Sequence, residues 1–426
     1  MPEFLIDFAK DLNQKSKKLI KDYEDKEANK LYKGHFKNYW ESYTLSDQLP
    51  KEKVLAVDGS QGRAPMGNGG IFYVVRALAI EKDERHKEVF TDFNYSNERN
   101  FSNFLGRLME WTEHLATIKG IKGEFNGYVL LDGSIYGRLA HVPLEFDLLN
   151  SKGFMIDYFD TLIELLTLCK EKRIPIIGVS KESRTSFFRE FLIKEILKGE
   201  ISDERLRKRI ISKTLDSKRV GLKEAQRTGN DKVIKLIKEL INRKPDSLLV
   251  QNNVDSAGYT SPLVLGGSQR WQRSIKEIDR DPRAFVLSQF PMSSEDDEFL
   301  RKAQDVVKQL KDVPAIVSFH LLPKVIDTPM RVDIPAWVFN SDNSDFADLK
   351  LKDIDWPQPV DVDLTEILDL LSSGYCGLEN YNIWLSHVDS EVKLKRKIFE
   401  ELYLNKFEEI IGKHSTSRGY RRVKYP

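Results

Sequence analysis

The chain has 426 residues, enough for two or three packed units around a sizeable core. Its 67 Lys and Arg nearly cancel its 66 Asp and Glu, so no overall field announces a polyanionic partner, and a nucleic-acid surface has to come from local clustering. Two cysteines, Cys169 and Cys376, exclude a disulfide framework or zinc spacing, the early acids Glu3 and Asp7 exclude a secretory core, and no run is long enough to span a membrane, so a cytoplasmic protein is expected.

Residues 1–45 form a Lys-rich first segment. Apolar positions at Leu5, Phe8, Leu12, Leu19, Ile20 and Tyr23 predict one or two amphipathic helices that dock on the body or on a partner. Residues 46–186 carry a more specific pattern. A strand ends at Asp58, and Pro65 and Gly67-Asn68-Gly69-Gly70 mark the following stretch as a loop. Strands are then predicted at 71–80, near 87–93, at 128–132 and at 174–179, with helices at 101–118 and 154–172. The order β-β-β-α-β-α-β predicts an α/β fold: a mixed five-stranded sheet flanked by helices, with the first and fourth strands as neighbours.

Residues 187–260 read as a basic, mainly helical insertion, studded by Arg205, Arg207, Lys208, Arg209, Lys213, Lys235 and Lys238 among interleaved acids. Such a run is as often a solvated face as a nucleic-acid surface. Residues 261–426 complete the core, with strands expected at 284–287, 315–319 and 330–335. A charged helix is expected at 296–311, a final helix at 379–405, and a basic tail after Arg418.

One phrase occurs twice. Val54-Leu55-Ala56-Val57-Asp58-Gly59-Ser60 and Tyr128-Val129-Leu130-Leu131-Asp132-Gly133-Ser134 each run an apolar strand into Asp-Gly-Ser. A single Asp-Gly is an ordinary turn; two copies on neighbouring strands would hold two hard oxygen donors within reach of one divalent cation. The first helix adds Glu110 and Glu113, both off its apolar stripe, so periodicity does not choose between them. Oxygen ligands in that number suit Mg²⁺ or Mn²⁺, and two such ions about 3.5–4 Å apart can drive an in-line displacement at phosphorus. Lys181, just past a strand end, is placed to neutralise a scissile phosphate, with Arg184 three residues on as a helper if both share a helical face. Gln61 and Arg63 are expected in a loop lining the substrate channel, which is no P-loop because no Gly-Lys-Ser/Thr follows.

The element order resembles the ribonuclease-H-like fold, and the motifs resemble the NurA family of DNA-end-processing nucleases. The matching pieces are the two Asp-Gly-Ser strands, Arg107-Leu108-Met109-Glu110, Gly178-Val179-Ser180-Lys181 with Arg184, Met330-Arg331-Val332-Asp333-Ile334-Pro335, and Leu385-Ser386-His387, spread from about 50 to 400. The resemblance implies a Mn²⁺-dependent (or Mg²⁺-dependent) nuclease that cuts single strands and duplex ends in double-strand-break repair. It also implies a HerA-type hexameric translocase as partner and a homodimer. It assigns metal binding to Asp58, Glu110, Asp132 and His387, and makes Tyr381 a further, substrate-contacting site residue. The chain departs from the family phrase Tyr-Pro, reading Tyr381-Asn382.

Two rivals compete. Actin-like ATPases and sugar kinases also open on an acid and glycine after a strand, and Gly266-Gly267-Ser268 imitates a nucleotide contact. Here, however, glycine directly follows each aspartate, and the second copy arrives too soon for a second sub-domain. A non-catalytic DNA clamp or motor adaptor would keep the fold without the chemistry.

Overall fold

A computed structural model describes residues 2–24, 26–45, 53–339, 357–412 and 416–424. Its centre is one mixed sheet. The strands are β1 (Trp40–Ser42), β2 (Lys53–Pro65), β3 (Ile71–Glu81), β4 (Glu84–Asn94), β5 (Gly127–Asp132), β6 (Ile176–Ser180), β7 (Gly258–Thr260), β8 (Leu263–Leu265), β9 (Ile316–Leu322), β10 (Met330–Pro335) and β11 (Gln358–Pro359). They lie in the order β1-β7-β9-β10-β6-β5-β2-β3-β4, with β8 also on β9 and β11 on β8. The sheet is therefore larger than the five strands predicted, because the C-terminal segment extends it across β6. The β2–β5 and β5–β6 pairs are parallel; β2–β3, β3–β4, β6–β10 and β10–β9 are antiparallel.

The helices that matter for the site are α1 (Pro2–Glu24), α2 (Glu98–Ile121), α3 (Ile135–Leu139), α4 (Phe154–Lys172) and α5 (Ile383–Val392). Val54–Val57 and Tyr128–Leu131 are buried throughout, which is why they read as unbroken apolar runs: both faces of the sheet are covered. Period-two alternation divides them. Leu55, Val57, Val129 and Leu131 pack with α2 and α4. Val54, Ala56, Tyr128, Leu130, Ile177 and Val179 pack with Leu385, Val388 and Val392 of α5.

Four expectations are corrected. β2 does not stop at Asp58: it pairs with β3 up to Pro65↔Ile71, so Gln61 and Arg63 lie on an exposed stretch of strand, with Arg63 Nη1 donating to Ser102 Oγ at 3.0 Å. Residues 284–287 belong to a helix, Pro282–Gln289. Asp281 caps its Ala284 N–H and Pro282 pre-sets its first turn, a helix start that the short apolar run concealed. The final helix is broken after Val392. There Arg76 Nε takes the Val392 carbonyl at 2.6 Å and the Leu394 N–H donates to Ser60 Oγ at 2.7 Å, drawing the backbone out of the helix and onto β2 and β3. Finally, Lys181 and Arg184 lie in the irregular segment before the Phe187–Glu200 helix, so they share no helical face. The basic stretch is mainly helical, as expected, with helices Glu204–Asp216, Lys218–Arg227 and Asp231–Asn242.

Candidate metal centre

The parallel register Val57↔Leu131 makes Asp58 and Asp132 the next residues on adjoining strands, about 4.8 Å apart across the ladder. Alternation sends both to the face covered by α5, with Ala56 and Leu130. Asp58 is buried, and its Oδ1 accepts from the Gly59 N–H at 2.8 Å. Burial first, then the charges of Asp132 and Glu113, push its carboxyl up to about 8. Asp132 sits at the β5 end, where Lys181 Nζ approaches its Oδ2 to 2.9 Å and stacks 4.2 Å over the Tyr381 ring. The Tyr381 hydroxyl is buried without a well-formed hydrogen bond, and burial followed by Asp132 and Asp58 drives its pKa far up.

The two glutamates of α2 separate sharply. Glu113 is the one whose charge bears on Asp58: it lies under Gly59 on the α2 face of β2, where a Cβ on Gly59 would stand 2.5 Å from Glu113 Oε1 and 2.7 Å from Met109 Cγ. Its carboxylate is fully buried in an ion pair with Arg138, and burial outweighs that pairing, raising it to about 7. Glu110 faces away, towards Arg107 at 2.9 Å, the Tyr158 hydroxyl at 2.7 Å and His141 at 3.5 Å. Burial opposes its ionisation, but His141, Arg107 and Arg138 prevail and hold it well below the ordinary range. Periodicity did not reveal this because α2 is sandwiched between the sheet and α4, so its buried arc also takes in Thr112, Glu113, His114 and Thr117. Arg138, which the sequence reading did not single out, also donates to the Asp132 and Glu110 carbonyls, tying α2 to the end of β5.

The repeated serines have structural work. Ser60 anchors the end of α5, while Ser134 caps Gly137 at 2.8 Å and donates to Asp333, which Arg331 and Ser318 hold at 2.8 and 2.7 Å. Gly133 has φ +115°, a conformation that glycine tolerates. Gly59→Ala is expected to push Glu113 off its Arg138 contact and lower the unfolding temperature, checked by thermal unfolding; unchanged melting would refute the close approach.

His387 is exposed, and its Nε2 meets Glu391 at 3.3 Å, which in turn holds Arg85. From α5, the charge that bears on Asp58 is that of Asp389. Arg184 is exposed. A cleft of about 580 Å³ opens beside Asp132, lined by Ser134, Tyr136, Lys181, Thr185 and the buried Arg331. A larger cavity of about 670 Å³ by Trp111 and Phe299 touches none of these groups.

Among the described residues, no three acidic, histidine or cysteine side chains already stand in coordinating arrangement. The donors nevertheless fit a hard divalent cation. Asp58 is an acid that lacks a cationic partner strong enough to keep it ionised, and Lys181 supplies a single, displaceable positive charge at Asp132.

The NurA domain matches residues 52–394. The solved structures similar to this chain include the NurA nuclease from Sulfolobus solfataricus, 15% identical, TM-score 0.54, covering 97% of this chain and 98% of that one. A second NurA structure is 11% identical, with a TM-score of 0.49 and 94% and 96% covered. NurA bound to dAMP and manganese is 13% identical, with a TM-score of 0.39 and 93% and 97% covered. No curated protein matches. Since the matched span holds both aspartate strands, the glutamate helix, Lys181 and all of α5, the chain belongs to the NurA nuclease family.

Proposed function

We propose that this chain is a Mn²⁺- or Mg²⁺-dependent deoxyribonuclease that hydrolyses phosphodiester bonds with two ions at Asp58 and Asp132. The observation that carries this reading is two aspartates on adjoining parallel strands and on one face, where burial and then the neighbouring carboxylates push Asp58 up to about 8. Glu113 is the favoured third carboxylate, since its charge couples to both Asp58 and Asp132, while Glu110 belongs to the Arg107–Tyr158–His141 network that fixes α2. When bound, such ions polarise the phosphoryl oxygens and lower the pKa of a coordinated water.

The chain's own groups then have separable tasks. Asp58 and Asp132 bind and orient the ions. Arg138 holds Glu113 in place. Lys181, at the mouth of the cleft and stacked on Tyr381, would meet the phosphate there, with Arg184 as a further cation three residues on. Gln61 and Arg63, on the exposed part of β2, lie further along the strand as backbone contacts.

The finer reading is a nuclease that cuts single strands internally and digests duplex ends 5′ to 3′, in end resection with a HerA-type hexameric translocase, in the cytoplasm. Support for a homodimer comes from α1, where Leu5, Phe8, Leu12, Leu19 and Tyr23 are exposed on one long helix. Among the described residues no helix is long and apolar enough to cross a membrane.

The deciding experiment incubates the purified full chain with Mn²⁺ and either single-stranded or blunt duplex DNA. Cleavage that requires the metal is expected. DNA binding without cleavage at any Mn²⁺ concentration would overturn this reading in favour of the clamp.

Proton linkage gives a second test. Below about pH 8 a cation must displace the Asp58 proton, so Mn²⁺ affinity should rise up to about tenfold per pH unit and level off near that value. Without metal, the unfolded chain ionises this acid in the ordinary carboxylate range while the folded chain does not. Stability should therefore fall as pH climbs through about 8, and Mn²⁺ should restore it. Melting curves from about pH 5 to about pH 9, with and without Mn²⁺, check both.

A further inference from the structure

We infer that Asp389 supplies a further carboxylate to the cation site of Asp58 and Asp132, and that the C-terminal helix enters that site through this residue and not through His387. The inference rests on the nuclease reading above and deepens it.

Strand alternation puts Asp58 and Asp132 on the face that α5 covers, and α5 packs directly on β2, β3 and β5. The inward stripe of α5 is Leu385, Val388 and Val392, all buried. At 100° per residue, Asp389 falls about 70° from the centre of that stripe and His387 about 130°, on the solvent side. The contacts agree. His387 is held by Glu391, whose carboxylate also receives Arg85 at 2.9 and 3.0 Å, an ion network on the outer strand β4. Asp389 instead bears electrostatically on both Asp58 and Tyr381.

Three further features fit a cation at this position. The Tyr381 hydroxyl, buried and without a well-formed hydrogen bond, lies among the same acids. The end of α5 is pinned to β2 at Ser60, two residues beyond Asp58, so the helix cannot drift from the aspartates. The ion pair recorded for Asp389, with Lys393 at 3.8 Å, is loose, and its side chain is 42% exposed, which leaves it open to a hydrated ion. A carboxylate where an imidazole was expected makes the donor set wholly oxygen. That favours Mn²⁺ and Mg²⁺ over zinc.

Mn²⁺ binding to the full chain, followed by electron paramagnetic resonance of the free ion, tests the assignment apart from activity. Asp389→Asn should weaken binding at least tenfold or remove one bound ion, Asp389→Glu should recover part of the loss, and the metal-free chain should still melt cooperatively, no less stable than the unmodified protein. Binding by Asp389→Asn within twofold of the unmodified protein would overturn the inference, as would a larger loss in His387→Gln. If the unmodified protein binds no Mn²⁺, the nuclease reading falls and this inference falls with it. Normal binding with an indifferent Asp389→Asn removes this inference alone.

Discussion

Asp132→Asn is expected to reduce Mn²⁺-dependent DNA cleavage by at least about a thousandfold while leaving the metal-free fold intact. The substitution keeps the shape of the side chain and removes one carboxylate charge from the proposed cation site. It also removes a like charge beside Asp58, so the Asp58 carboxyl should move back towards the ordinary range and metal-free stability at alkaline pH should improve. Lys181 loses a partner, but it is 39% exposed and rehydrates easily. A cleavage assay paired with melting in chelator reads the two effects separately. Cleavage at the unmodified rate would mean that the chemistry lies elsewhere.

The largest stability effect should come from Arg138→Met. Arg138 and Glu113 form an ion pair whose side chains are 3% and 2% exposed, and Arg138 also bonds the Asp132 and Glu110 carbonyls. Removing the cation strands a buried carboxylate, a change that costs about 3–5 kcal/mol. The Glu113 carboxyl, already at about 7 with its partner present, would then stay protonated further into the alkaline range. Adding Glu113→Gln in the same chain should recover much of the loss, because it removes the orphaned charge. Denaturant unfolding of the two single variants and the double variant forms the cycle. A loss below about 1 kcal/mol in Arg138→Met would show that the pair is a solvated contact.

Different parts of the molecule were legible to different degrees. The apolar runs before Asp58 and Asp132 announced strands covered on both faces, and the short charged turn after Glu81 announced the β3–β4 hairpin. The β9 and β10 strands were also visible, but not that they add to the same sheet, since strand pairing between distant segments leaves no local mark. Residues 284–287 misled because four apolar residues satisfy either period, and the Asp281-Pro282 helix start decides the matter.

At the site, the doubled Asp-Gly-Ser pointed to both aspartates through spacing and chain order alone. Glu110 and Glu113 were indistinguishable, because the burial of Glu113 depends on α4 packing against the second side of α2 and on Arg138 arriving from α3. The same reason separates Asp389 from His387. Which side of α5 meets the aspartates is set by the Leu385–Val388–Val392 stripe and by Ser60 pinning the helix end.

The amino-acid order by itself determined the strand-borne aspartates, the mixed α/β class and the family, because these are carried by local periodicity and short contiguous phrases. Tertiary structure alone decided the size of the sheet, which glutamate of α2 couples to Asp58 and which residue of α5 brings its charge to bear there. Each of those depends on a rotation of one helix about its axis or a pairing across the fold. Such choices are made by the free energy of burying one side rather than another, to which segments hundreds of residues away contribute.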